Sequence, residues 1–186
     1  MTEWDAEAAE WYAANYGEYA TNRLAVEALE LDPNSVVVDV GCGTGSALRH
    51  VASAVTEGSL IGVDPVPRMI ELAQERTASH PAAPRIEFRL GPAEHLPVDD
   101  AAADVVLAFD SFDHWQDVAR GLSEISRILR PAGRLIVVRD AGVPGGREAR
   151  RALLDALASA GFVVSREEQI EGDDVRFTLW ICEAID

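Results

Sequence analysis

Across 186 residues, 32 aspartates and glutamates face 16 basic residues, giving a formal charge of −16 at pH 7. That length suits one domain with a substantial core. The acidity, uninterrupted by any basic cluster that could track phosphates, sets nucleic acid and anionic membrane aside as partners.

Only two cysteines occur, Cys42 and Cys182, far apart and without a CxxC, so neither a disulfide framework nor a zinc site is expected. A reducing cytoplasm fits that usage. The acidic start MTEWDAEAAEW lacks the order of a signal peptide, and no apolar run approaches the roughly 20 residues of a membrane span.

In chain order, residues 5–30 read as one helix or two broken at Gly17, with Trp4, Trp11, Tyr12, Tyr16, Tyr19, Leu24 and Ala28 suited to a packed face. Pro33 stops it. A strand over 35–40 leads to a helix at about 45–55, and a strand over 59–64 to a helix over 67–79. Pro81 and Pro84 mark the turn before a strand over 85–90. A loop carries 91–103, a fourth strand covers 104–109, and a helix at about 116–129 ends near Pro131 and Gly133. The fifth strand, 134–139, runs through the loop GVPGG to a helix over 147–160 closed by Gly161. Two last strands, 162–170 and 175–184, face each other across EGDD as a hairpin. The alternation predicts an α/β fold of five parallel strands with helical crossovers, then an antiparallel pair.

The stretch VVVDVGCGTG at 36–45 places glycines at 41, 43 and 45 directly after a strand and before a helix. That arrangement lets a ligand approach bare backbone and its unsatisfied N–H groups. The alternative is a tight turn before a closely packed helix and nothing more. A dinucleotide fingerprint asks for G-x-G-x-x-G/A, whereas Ser46 stands at its third glycine position.

With these motifs in place, the sequence resembles the class I S-adenosylmethionine-dependent methyltransferases of the small-molecule type, whose first motif is hhDhGCGTG. IGVDP at 61–65 resembles the second motif, MIELA at 69–73 the helix after it, GPAEHLPVDDAAADVVLAFDSFDHW at 91–115 the fourth-strand segment, and ILRPAGRLIVV at 128–138 the approach to the fifth strand. The resemblance implies a Rossmann-like seven-stranded methyltransferase sheet with helices on both faces. It divides the chain into a helical cover or lid (1–32), a cofactor-binding core (33–140), and a last helix with the hairpin (141–186).

It also implies S-adenosylmethionine as cofactor. The loop Gly41, Cys42, Gly43 would cradle the methionine part, with Asp39 helping from the strand end. Asp64 would accept the ribose hydroxyls, a role suited to an acceptor-only carboxylate, or would be a strand-end turn residue before Pro65. Pro65 and Met69 would lie against the adenine, Ala93 and Glu94 would form the loop at its ring, and Asp110 would sit beneath the methionine part and next to the substrate. Two positions depart from the pattern. Pro92 replaces the usual aspartate at the adenine amino group, a bond then lost or supplied by a neighbour such as Glu94. Ala132 replaces the first glycine of the Leu-x-Pro-Gly-Gly turn, with Gly133 left to supply a positive φ if one is needed.

Methyl transfer from a sulfonium needs alignment more than acid catalysis. If a base is used, His114 is the candidate; otherwise it caps or packs beside Trp115. Asp113 is expected as a helix N-cap before it is a base. Arg139 and Asp140 either orient a substrate or pair with each other. Tyr12, Tyr16 and Tyr19 form either a lid or a packed helix face. His50, His80 and His95 have no metal-ligand spacing, so no metal is expected. The short connection at 140–146 leaves an open site, to be covered by the N-terminal helices or by a second copy in a homodimer, and the expected acceptor is a small molecule. Two other readings remain: a catalytically silent module that binds the S-adenosyl ligand, and a nicotinamide-dependent oxidoreductase.

Overall fold

The computed structural model describes residues 5–141 and 146–185, so Trp4 and most of the GVPGG loop lie outside the described residues. Thirteen principal elements follow in order: α1 (Ala6–Tyr16), α2 (Ala20–Glu27), β1 (Val37–Val40), α3 (Ser46–Val51), β2 (Leu60–Asp64), α4 (Pro67–Thr77), β3 (Ile86–Leu90), β4 (Ala103–Phe109), α5 (Val118–Ile128), β5 (Leu129–Asp140), α6 (Gly146–Ser159), β6 (Phe162–Gly172) and β7 (Val175–Ala184).

The seven strands form one sheet in the order β3-β2-β1-β4-β5-β7-β6. The first five pair in parallel, and β7 lies antiparallel to both β5 and β6. β1 and β2 are buried along their whole length, as apolar runs between two helical layers must be. Alternate residues of each strand feed opposite cores. Val38, Val40, Val106 and Val137 meet Leu122 and Ile125 of α5 and Leu153 and Leu157 of α6. Val37, Leu107 and Ile136 meet Ala25 of α2 and Leu48 and Val51 of α3. A small third cluster seats α1 on α4 through Ala9, Ala13, Met69 and Leu72.

Several expected boundaries move, each for a local reason. The N-terminal helix does break at Gly17, where an added Cβ would lie 2.5 Å from Ala13 O and 2.9 Å from the Thr44 side chain. The expected helix at 116–129 begins at Val118, because Asp117, not Asp113, is its N-cap and accepts the Arg120 N–H at 3.0 Å. β5 starts five residues early, at Leu129, which pairs with Ala103 before the register shifts to Val105 and Arg134. Inside that irregular stretch the left-handed residue is Ala132 (φ 65), so Gly133 does not supply the positive φ. Gly133 is needed for closeness instead: a Cβ there would stand 2.9 Å from Arg130 O and from the Leu129 side chain. At the hairpin, β6 runs on to Gly172 and the turn shrinks to Asp173 and Asp174, both with positive φ, the signature of a type I′ turn.

No helix among the described residues is long and apolar enough to cross a membrane.

Candidate active site

Chain direction puts the carboxyl ends of β1, β2, β4 and β5 on one side of the sheet. β1 lies between β2 and β4, where the strand order reverses, the position at which open α/β sheets hold ligands. A cavity of about 600 Å³ opens there. Its wall contains Asp39, Gly41, Cys42, Gly43, Asp64, Pro65, Met69, Ala93, Glu94, Asp110 and His114, together with Pro92, Tyr12, Tyr16 and Tyr19. The structure thus brings every residue singled out for the cofactor, and the candidate base, to one wall.

The glycine loop is shaped by two different demands. Gly41 has φ 77, and a Cβ there would lie 2.4 Å from the Ser111 Cβ, so the position is fixed by packing. Ser111 donates its hydroxyl to Val40 O at 2.6 Å, which locks the β4 end against the β1 end. Gly43 has φ 51, and the nearest atom to an added Cβ is Tyr12 Cε1 at 4.0 Å. Bareness at Gly43 therefore serves the cavity and not the packing. The N–H of Gly43 donates to Asp64 Oδ2 at 3.0 Å, while Asp64 Oδ1 accepts the N–H of Val66 at 2.9 Å. Asp64 thus ties the loop to the β2 end. A carboxylate has about four acceptor sites, so capacity remains for a ligand.

Charge in the cavity is strongly one-sided. Asp39 is 2% exposed, and among the described residues no hydrogen-bond donor or counter-ion holds its carboxylate. Burial, with the charge of Asp64 added, pushes its pKa up to about 7. Burial also raises Asp64, partly offset by the N–H groups of Val66 and Gly43 and by His114. Asp110 is lifted to about 6, first by burial, although its Oδ1 accepts the N–H of Asp140 at 2.6 Å. Three carboxylates held above their ordinary range in one cavity call for a ligand carrying positive charge and hydroxyl donors.

Other candidates find different partners. Asp113 pairs with Arg139 at 3.0 Å, so the guanidinium read as either orienting a substrate or pairing with Asp140 is engaged by Asp113. His114 ends a short 3-10 turn, Phe112–His114, and is exposed at the cavity wall. Trp115 packs on Phe112, with ring centroids 4.8 Å apart, and closes against Gly121. Glu94 Oε1 accepts the N–H of Asp117 at 2.8 Å, so this side chain fastens the loop after β3 to the start of α5. The tyrosines of α1 and the following turn do reach the cavity. Their corner is held by Thr44, whose hydroxyl donates to Gly17 O at 2.6 Å. Ser111, Thr21, Asn22 and Gln116 also line the cavity and were not singled out by sequence. For Ser111 and Gln116 a signal existed, as polar residues just past a strand end. Among the described residues no three His, Cys, Asp or Glu side chains converge to hold a metal.

Comparison with known proteins meets this geometry. The family model described as a methyltransferase domain matches residues 38–137, more than half of the 186. The chain belongs to the class I S-adenosylmethionine-dependent methyltransferases. It is 33% identical over 118 residues to the ubiquinone/menaquinone biosynthesis C-methyltransferase of Geotalea daltonii, covering 62% of this chain and 50% of that protein. It is 35% identical over 133 residues to an O-methyltransferase of Aspergillus nomiae, covering 68% and 59%. The chain spans about half the length of these curated relatives. In fold, the chain resembles the crystal structure of a SAM-dependent methyltransferase from Aquifex aeolicus, with a TM-score of 0.79 at 17% identity, covering 98% of this chain and 100% of that one.

Proposed function

We propose that this methyltransferase moves a methyl group from S-adenosylmethionine to a small-molecule acceptor by in-line displacement. The observation that carries this reading is the unmatched, buried carboxylate of Asp39 beside a glycine loop with room at Gly43. A cofactor with an ammonium and a sulfonium group compensates that charge. The pyrophosphate of a nicotinamide dinucleotide would be repelled by it.

The residues present suit the cofactor part by part. Asp39 and the Gly41–Gly43 backbone would hold the amino end, and Asp64 the ribose hydroxyls. Pro65 and Met69, lying between the β2 end and α4, would face the adenine, with Ala93 and Glu94 on its other side. Asp110 would sit where methionine part and acceptor meet. When bound, S-adenosylmethionine supplies the activated methyl. The chain's own task is then alignment, and positioning of this kind supplies up to about 7–11 kcal/mol in well-oriented reactions. Tyr12, Tyr16 and Tyr19 cover the cavity mouth and restrict water. His114, exposed on the wall, would take a proton from an acceptor that carries one. The C- and O-methyltransferase activities named for the relatives support a small-molecule acceptor, and the overall charge of −16 speaks against a nucleic acid.

Calorimetric titration with S-adenosylhomocysteine, with NADH as competitor, tests this reading. Saturable binding of the first alone is expected, with affinity at least tenfold lower in Asp64→Ala, about 1.4 kcal/mol. Equal affinity in that variant removes Asp64 from the ribose role. No binding to the wild type moves the protein away from the S-adenosyl cofactor altogether.

A further inference from the structure

Once the cofactor's share of the cavity is set aside, a negative charge is left over. Asp39 and Asp64 lie beside the glycine loop, whereas Asp110 lies past the β4 end, next to Asp140. Among the described residues the Asp110 carboxylate accepts one hydrogen bond, from the N–H of Asp140, and forms no ion pair. Arg139 acts on it only at a distance, because its guanidinium is bound to Asp113. All of the chain's basic residues besides histidine are arginines, and among the described residues none lines the cavity.

The cavity that Asp110 lines also has an aromatic wall, and Tyr12 in it lies close enough to feel the Asp110 charge. Tyr12 and Tyr16 have ring centroids 5.6 Å apart, as do Tyr16 and Tyr19, so three rings run continuously along the cavity. Burial first, then the charges of Asp110 and Asp64, push the Tyr12 phenol up to about 12. Tyrosine side chains and the Asp110 carboxylate therefore line one space. In the same lining, Thr21 is 1% exposed and its hydroxyl has no hydrogen-bond partner among the described residues.

We propose that the methyl acceptor is a small cationic amine, held between Asp110 and the Tyr12–Tyr16–Tyr19 wall, with Asp110 receiving its proton. This rests on the methyl-transfer reading above; for an amine the proton goes to Asp110, and the base role of His114 is left to hydroxyl acceptors. An anionic acceptor would meet the carboxylates of the cavity, and a neutral one would leave Asp110 uncompensated in a partly desolvated place. An ammonium is attracted by the carboxylate and by the faces of the tyrosine rings, which bind cations through their quadrupoles. The balance of the step is simple. The ammonium gives one proton to Asp110, and the freed nitrogen lone pair forms the new N–CH3 bond. The electron pair of the broken C–S bond stays on sulfur, the positive charge passes from sulfur to nitrogen, and Asp110 returns its proton to solvent. Burial that lifts Asp110 to about 6 makes it a stronger base than an exposed aspartate.

The test is calorimetric and needs no turnover. The full chain is saturated with S-adenosylhomocysteine, then titrated with matched probes: benzylammonium and phenethylammonium, benzyl alcohol and 2-phenylethanol, phenylacetate and 3-phenylpropionate. Each ammonium is expected to bind at least tenfold more tightly than its alcohol, and the carboxylates not at all. Asp110→Asn is expected to erase the ammonium's advantage and leave alcohol binding unchanged. Asparagine tolerates the left-handed backbone at this position (φ 49) and still offers an acceptor to the Asp140 N–H. The proposal is overturned if an alcohol or carboxylate binds as well as its ammonium, if no ammonium binds the saturated protein, or if the advantage survives in Asp110→Asn. Failure of S-adenosylhomocysteine to saturate the protein is read before any probe is added, and overturns the cofactor reading and this one together.

Discussion

Alanine substitutions at Gly41 and Gly43 should separate what the loop does for the fold from what it does for the ligand. In either variant a non-glycine residue is placed in left-handed backbone, φ 77 or 51, at about 1–2 kcal/mol. At Gly43 nothing is added to this, since the new methyl stands 4.0 Å from its nearest neighbour. At Gly41 the methyl lies 2.4 Å from the Ser111 Cβ, and relieving that contact strains the 2.6 Å bond from Ser111 to Val40. Overpacking of this kind costs a further 1–3 kcal/mol, roughly. Urea unfolding should therefore show Gly41→Ala losing about 2–5 kcal/mol and Gly43→Ala only about 1–2 kcal/mol. Affinity for S-adenosylhomocysteine should fall in the other order of severity relative to stability. The Gly43→Ala methyl projects into the space a ligand would use, and at least a tenfold loss is expected, about 1.4 kcal/mol. Wild-type affinity in Gly43→Ala would refute the assignment of this loop as the cradle.

Asp39→Asn should stabilise the ligand-free protein at pH 8. The folded pKa of Asp39, about 7, lies above the ordinary 3.8, so the wild type is unpenalised below pH 3.8 and loses stability as pH rises through 7. The advantage of the variant should accordingly shrink as pH is lowered toward 4, and a gap independent of pH in urea titrations would contradict the burial of this charge. The same variant should bind S-adenosylhomocysteine more weakly. Thr44→Val removes the hydroxyl that holds Gly17 O and should cost about 1–3 kcal/mol, with faster amide exchange in α1 than in β1 and β4. Unaltered exchange in α1 would mean that the small cluster on α4 seats the helix alone. For His114→Ala, turnover with a hydroxyl acceptor found by screening should fall while cofactor affinity holds; full turnover would leave His114 without a catalytic role.

Much of the fold was legible because it was written in local chemistry. Apolar runs ending in Asp39–Gly41 and Asp64–Pro65 mark strands whose carboxyl ends face a ligand, and the topology of a parallel sheet then gathers residues that are distant in sequence. Gly17 and the hairpin cluster were equally readable. What escaped depended on contacts no local pattern contains. The early start of β5 follows from pairing of Leu129 with Ala103, and the left-handed residue of that stretch is Ala132 (φ 65), while Gly133 is bare for its close approach to Arg130 and Leu129. Asp113 looked like a cap until Arg139 came within 3.0 Å of it, leaving Asp117 to cap α5. In the site, the identity of the wall residues was visible, but the lack of a partner for the Asp39 carboxylate among the described residues was not, since it is a property of everything around that carboxylate. Thr21 and Asn22, on the second helix, carry no sequence signal that separates them from ordinary surface positions.

The two outer strands of the sheet, β3 and β6, have a consequence for how copies of this protein meet. Glu87 and Arg89 pair along β3, Arg166 and Glu168 pair along β6, and Glu167 of β6 is bound by Arg150 from α6. A strand from another molecule could extend the sheet only by displacing or burying these ion pairs, and it would bring a second charge of −16 with it. Sheet-to-sheet polymerisation is thereby opposed at both ends. Concentrated solutions should stay dispersed, light scattering should rise only as added salt screens the charge or pH approaches 4.5, and any specific self-association must use the helical layers.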